Sequence, residues 1–185
     1  SADSVHSIRW IKYFSLNTDH KILWISAKNP NHETFVEYKK LKKNIKKYIF
    51  NNFKNIIIVS KKLIFLRNSL VHIHYLGWHS LFLFFIHKSN KIVCTPWGSD
   101  LLINRNRLKN LWFNYLFKRT NLVICDSTRL ANVAKNFGKD KTCIKICNFG
   151  IDTKIYKKKS SIFTSNKNII IGSNRRLEEI YDINT

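Results

Sequence analysis

The chain of 185 residues carries 33 lysines and arginines against 11 aspartates and glutamates, a formal net charge of +22. At 44% hydrophobic and 14% aromatic residues it is too apolar for a disordered polycation, and its length holds one full domain plus a fragment of a second. Such a charge attracts nucleic acid, anionic lipid and nucleotide phosphates alike, but lysine and asparagine abound throughout the chain, a background bias that discounts the charge as a functional signal.

There is no methionine, and the chain opens on Ser1-Ala2-Asp3 without a preceding apolar strand, which predicts a fragment lacking its own start. The longest nearly uncharged apolar run, residues 76–86, falls far short of the ~20 residues of a membrane span. The expectation is a cytoplasmic protein, soluble or peripheral on the inner face of a membrane. Cys94, Cys125, Cys143 and Cys147 lie in short β-branched runs without C-x-x-C spacing and predict buried free thiols in a reducing compartment.

Taken in order, Val5, Ile8 and Ile11 have helical spacing, and residues 21–26 read as a strand ending near Asn29-Pro30. Residues 33–67 read as one long helix, with Leu41, Ile45, Tyr48, Ile49, Phe53, Ile56 and Ile57 on one face and lysines over the rest. A short strand at 70–75 is closed by Gly77, and residues 78–87, apolar all round, predict a helix buried between layers. A strand follows at 91–95, then a helix with Leu108, Leu111, Trp112, Tyr115 and Leu116 at helical spacing, a strand at 122–125, a helix at 130–137 stopped by Gly138, and a strand at 143–147.

Strands alternating with helices predict right-handed βαβ units and an α/β fold: a Rossmann-like parallel sheet with helices on both faces, truncated at both ends. The first domain spans 1–156. A lysine- and serine-rich linker covers 157–168, and an incomplete second domain begins at 169–185.

Ligands of open parallel sheets bind outside the carboxyl ends of the strands. Three segments of this sequence fall there, at 3–9, 95–100 and 148–152, with Asp126-Ser127 after a further strand. Around the first helix, Asp3 is a cap while His6 and Arg9 project nearby. Tyr75 and Gly77 close the strand at 70–75. In Thr95-Pro96-Trp97-Gly98-Ser99-Asp100, Gly98 permits close backbone approach, Trp97 offers a stacking face for a sugar, and Ser99 and Asp100 offer hydrogen bonds to hydroxyls; the same run also reads as a turn with an N-cap aspartate. Asp126-Ser127 and the run Asn148, Gly150, Asp152 follow later strands, and read as a helix cap and a tight turn respectively as readily as ligand contacts. His72-x-His74 puts two imidazoles on one strand face, without a third ligand or acidic cluster to complete a metal site. No phosphate-binding glycine loop and no nucleophile elbow occur.

In order, D-S-V-H-S-I-R-W at 3–10, V-H-I-H-Y-L-G at 71–77, T-P-W-G-S-D at 95–100, V-I-C-D-S at 123–127 and N-F-G-I-D at 148–152 resemble the amino-terminal domain of glycosyltransferase family 4, in its W-G-S-D subgroup. I-I-I-G-S-N-R-R-L-E-E-I-Y at 169–181 resembles the opening of that family's second domain. The resemblance implies a GT-B fold and metal-free, retaining transfer of a hexosyl-type unit from a nucleotide-activated sugar to a glycan or lipid-linked acceptor, as in polysaccharide biosynthesis. The nucleotide sugar is then a substrate, and no cofactor is implied. It also implies that the residues named above line the acceptor side of the cleft, and that Arg175 or Arg176 matches the arginine on the donor phosphates, where a guanidinium suits a bidentate clamp.

Two departures stand out. Trp97 occupies a place where many relatives carry histidine, so no catalytic residue is assigned, and the family's spaced glutamate pair is absent, Glu178 and Glu179 not forming it. The fragment is therefore expected to be inactive alone. Two further partners come from charge: nucleic acid, disfavoured by dispersed basic residues and the lack of any recognised module, and an anionic membrane, which the basic stretch 39–62 with Tyr48, Phe50 and Phe53 would meet.

Overall fold

A computed structural model describes residues 5–28, 45–103, 106–148 and 150. Residues 1–149 form one compact unit and 150–185 a second. In the first, helix α1 (Val5–Asn17) leads to strand β1 (Ile22–Ser26), and β2 (Ile45–Ile49) leads to α2 (Phe53–Ile64) and β3 (Leu70–His74). A 3₁₀ helix (Trp78–Phe85), β4 (Lys91–Thr95), the single turn α3 (Ser99–Leu102) and α4 (Arg107–Arg119) follow. The unit closes with β5 (Leu122–Cys125), α5 (Thr128–Asn136) and β6 (Ile144–Ile146).

All the strand pairings are parallel. β1 pairs with β2, Ile22 opposite Ile45. The other four strands form a second sheet in the order β3-β4-β5-β6, with Leu70 opposite Lys91 and Val123 opposite Ile144. Side chains alternate between faces along a strand. Trp24 accordingly packs with Ile8 of α1 in a small core, while its neighbour Ile25 packs against the main one. On β3, His72 and His74 meet Trp10 of α1 and the intervening Ile73 enters the main core. Both faces are covered, and the α/β, Rossmann-like expectation holds.

Local chemistry explains the boundaries. Asn52, Asn106 and Ser127 are N-caps whose side-chain oxygens accept from the backbone N–H three residues on, and Lys61-Lys62 and Lys118-Arg119 sit in final turns, where cations suit the helix dipole. At the amino ends of the strands, buried Asn90 accepts from Ser69 N and donates to the Leu66 and His87 carbonyls, joining the approaches to β3 and β4.

The structure corrects several sequence expectations. The long helix over 33–67 is broken: residues 45–49 are strand β2, and Asn51-Asn52 turns the chain into α2. Lysine stems tolerate a sheet margin where the heads reach water, and Lys47 lies 4.9 Å from the Trp24 ring centroid. The part of the expected helix over 33–44 lies outside the described residues.

The segment 78–87 is neither α-helical nor buried all round. At three residues per turn, positions i and i+3 eclipse, so Ser80, Leu83 and Ile86 face inward while Trp78, Leu81 and Phe84 are 58%, 45% and 62% exposed. Helix α4 buries Phe113, Leu116 and Phe117, whereas Leu108, Leu111 and Tyr115 of the expected stripe are exposed; Tyr115 and Trp112 pack instead on Phe84. Cys94 and Cys125 are buried, but Cys143 lies half-buried in a short 3₁₀ turn and Cys147 is exposed. Burial pushes the Cys94 thiol up to about 12 and Cys125 to about 11.

Leu116 has no exposed surface, so Leu116→Ala should lower unfolding free energy by about 2–5 kcal/mol in urea denaturation. Leu108→Ala, on the exposed stripe of the same helix, should stay within about 0.5 kcal/mol of the unaltered chain.

Candidate functional site

The loops at the carboxyl ends of β3 and β4 are tied by one carboxylate. Asp100, 7% exposed, accepts from the backbone N–H of Leu76 at 2.6 Å, of Trp97 at 2.9 Å and of Leu101 at 3.0 Å. Burial pushes its carboxyl above the usual range, and these N–H groups oppose that shift. Its charge is engaged inside the protein, so its part at the site is to hold other groups in position.

Two backbone features shape what this clamp presents. Tyr75 has φ +62°, unusual for a residue with a side chain. Its N–H donates to Thr95 O at 3.0 Å and its carbonyl accepts from Gly77 N at 2.9 Å, so the strained turn is held at both ends. Gly98 has φ +103°, a conformation that glycine adopts without penalty, and a Cβ there would point into open space. At Gly77 a Cβ would stand 3.2 Å from the Tyr75 ring. The ring of Trp97 meets that of Tyr75 edge-on, centroids 6.2 Å apart, and His79 stacks at 6.5 Å on its neighbour Tyr75. An aromatic corner thus stands over an open glycine turn.

The structure brings Tyr75, Gly77, Trp97, Gly98 and Asp100 together. Ser99 begins α3 and is exposed. Ser127 caps α5, accepting from Leu130 N, and Asp126 is half-buried beside it after β5. Asn148 is exposed beyond β6. Arg9 is exposed one turn into α1, which also contains His6. Gly150, also exposed, belongs to the second unit. Asp3, Asp152, Arg175 and Arg176 lie outside the described residues.

Sequence reasoning missed His79, whose Nε2 lies 3.0 Å from His74 O and whose ring lies beside Tyr75. The signal was a lone titratable residue in an apolar run, two positions after a glycine. Burial lowers the His79 pKa, offset in part by that carbonyl. His72 and His74 do share a face, ring centroids 3.9 Å apart. His72 Nε2 meets Thr95 Oγ1 at 2.7 Å, and burial lowers its pKa to about 4. Among the described residues no three His, Cys, Asp or Glu side chains group as metal ligands.

These elements define the class: a Rossmann-like parallel α/β domain that presents an aromatic and glycine corner at the carboxyl edge of the β3–β6 sheet, where such folds take ligands. A model of the glycosyl transferase 4-like family matches residues 1–127, and the chain belongs to that family. The fold is consistent with the amino-terminal half of a GT-B enzyme. No curated protein matches the chain.

Asp100→Ala would remove the carboxylate acceptor of the Leu76 and Trp97 N–H groups, while Leu101 N–H keeps Gly98 O, and should cost several kcal/mol at about 1–3 kcal/mol for each of the two; Asp100→Asn, which keeps one carbonyl oxygen, should cost less, both read from denaturant midpoints at unchanged slope. A second expectation concerns acid. Because the folded state lowers the His72 pKa from 6.5 to about 4, its neutral form favours folding fully above pH 6.5, and that contribution drains away as pH falls through 6.5 toward 4. His72→Asn should flatten the fall in melting temperature over that window.

Proposed function

We propose that this chain is the acceptor-binding part of a retaining glycosyltransferase that moves a hexosyl-type unit from a nucleotide-activated sugar to a glycan or lipid-linked acceptor. The observation that carries the proposal is the clamped pair of loops, with Trp97 and Tyr75 standing beside the open Gly98 turn at the sheet's carboxyl edge, in a chain of the glycosyl transferase 4-like family. Aromatic faces suit the apolar C–H faces of a sugar ring, and a glycine turn lets hydroxyls reach backbone groups. Arg175 or Arg176 supplies the bidentate contact to the donor phosphates. The donor enters as substrate, without metal or cofactor.

A lipid-linked acceptor would bring the domain to a membrane surface. No helix among the described residues is long and apolar enough to cross a membrane, so contact would be peripheral. Along α2 and its cap, Phe53, Ile57, Ile64 and Phe65 are exposed, with Lys54, Lys61 and Lys62 on the same helix. Apolar anchors flanked by lysines suit an anionic interface, each lysine contributing about 1 kcal/mol.

Titrating the chain with an oligosaccharide panel while following tryptophan fluorescence tests the acceptor role. Trp97→Ala should weaken glycan binding tenfold or more at an unchanged melting temperature, and the chain alone should transfer no sugar. Glycan binding indifferent to Trp97, or salt-steep RNA binding with none to glycans, would overturn the acceptor reading. Co-sedimentation should rise with the anionic content of the vesicles and drop for Phe53→Ser/Phe65→Ser.

A further inference from the structure

The 3₁₀ helix begins directly after Gly77, so it leads away from the candidate site. Three residues per turn bring every third side chain into line. Trp78, Leu81 and Phe84 therefore form one straight row, and all three are exposed, whereas the row of Ser80, Leu83 and Ile86 is buried. At about 2.0 Å per residue the exposed row runs about 12 Å from its first member to its last. At its far end Phe84 stacks on Tyr115, ring centroids 5.2 Å apart and 21° from parallel, and meets Trp112 at 5.0 Å. Leu108 and Leu111, one turn before Trp112 and Tyr115 on α4, extend the apolar surface at 77% and 60% exposure.

This surface is tied to the site by buried hydrogen bonds. The Trp112 indole N–H donates to Ser80 Oγ at 2.9 Å, and the Ser80 hydroxyl donates to Gly77 O at 2.7 Å. Trp78 meets Phe50 edge-on at 5.1 Å, and Arg119 of α4 donates to Ile86 O at 3.0 Å beyond the other end of the row. A contiguous exposed apolar surface of this kind marks a binding site, and charge indicates for what. Between residues 45 and 120 the only acidic residue is Asp100, which is buried in the clamp. Arg107, Lys109 and Lys118 of α4 and Lys88 after the 3₁₀ helix are exposed. A second copy of a chain carrying +22 is repelled. Leu81, Leu108 and Leu111 offer a sugar neither a ring face nor a hydrogen bond. An apolar chain with an anionic head meets both the row and the charge around it.

We propose that the row Trp78, Leu81, Phe84 seats the hydrocarbon chain of a phosphate-linked lipid acceptor, whose sugar end lies at the Tyr75 and Trp97 corner. This rests on the acceptor reading above, and it selects the lipid-linked acceptor over the free glycan. The row has the reach of an extended decyl chain and ends on the Trp112 and Tyr115 rings. The surrounding lysines and arginines attract the phosphate link, and no exposed carboxylate on these elements opposes it.

Hexyl, octyl and decyl phosphate, each below its micellar concentration, test the seat by calorimetric titration into the 185-residue chain, with inorganic phosphate and the oligosaccharide panel alongside. We expect one alkyl phosphate bound per chain, affinity rising about twofold to fourfold per added methylene, and inorganic phosphate not bound. Leu81→Ser/Phe84→Ser, at exposed positions, should weaken decyl phosphate at least tenfold at an unchanged melting temperature, and Phe53→Ser/Phe65→Ser should leave it unchanged. Independently of any variant, decyl phosphate with a photoreactive diazirine at its chain end should label residues within 78–85 and 108–115. Affinity indifferent to chain length, labelling elsewhere, or an equal loss in the two double variants, which would mark general adsorption to apolar surface, would overturn the proposal. The two readings fail separately. Glycans bound through Trp97 with no alkyl phosphate bound would remove the lipid seat alone, whereas alkyl phosphate bound on the row with no glycan bound would remove the acceptor reading and keep the apolar-chain seat.

Discussion

A carboxylate buried near the end of a sheet has to be surrounded by donors, and whichever donors surround it are then fixed in place. Asp100 draws Leu76 from one loop and Trp97 and Leu101 from the next into a single arrangement. The left-handed Tyr75, Gly77, where an added Cβ would crowd that ring, and the open Gly98 turn all lie within the span this residue controls. The Tyr75 conformation is costly in isolation, whereas glycine adopts that of Gly98 without penalty. They persist together because the carboxylate leaves the two loops little freedom to relax separately, and because the Tyr75 N–H is held by Thr95 of the neighbouring strand.

The two ends of the sheet are organised differently. At the amino ends, asparagines do the joining: Asn90 links the approaches to β3 and β4, and Asn121 exchanges two hydrogen bonds with Ile92. These contacts are neutral and join neighbouring strands. At the carboxyl ends one charge gathers backbone donors while aromatic rings stand beside a glycine turn. That asymmetry supports placing sugar recognition above β3 and β4. It also separates the roles of neighbouring residues: Asp100 positions the site, and Trp97 and Tyr75 are the groups proposed to touch a ligand.

How far the sequence revealed this depends on the signal each segment carries. Residues 91–95 and 122–125 read as strands with the observed bounds, because β-branched runs closed by turn residues have few other solutions. β2 was hidden by Lys46 and Lys47, which look like the polar face of a helix but sit at a sheet margin with Lys47 over Trp24. The segment after Gly77 was apolar on every side, so periodicity could not distinguish three residues per turn from 3.6, and only the fold shows which third of it is buried. In α4 two apolar stripes compete. Both have helical spacing and share Leu116, and the surrounding core rather than the helix itself selects Phe113 and Phe117 for burial and leaves Leu108 and Leu111 exposed. At the site, the turn chemistry of 95–100 was legible, but that Asp100 reaches back 24 positions to Leu76 was not. Nothing local encodes a contact across two strands.

The all-parallel pairing of these strands has a consequence for how the molecule comes into being. Neighbouring parallel strands cannot close by a tight hairpin. Each pairing must wait for a crossover of a dozen residues or more, and such non-local contacts form slowly. β1 and β3 are also separated in sequence by β2 and α2, and the two sheets form around separate pairings. During that interval each margin is a template for a strand of another molecule. Yield on refolding should therefore be governed by protein concentration as much as by final stability, and this chain would gain more from dilution or a chaperone than from any substitution that deepens its core.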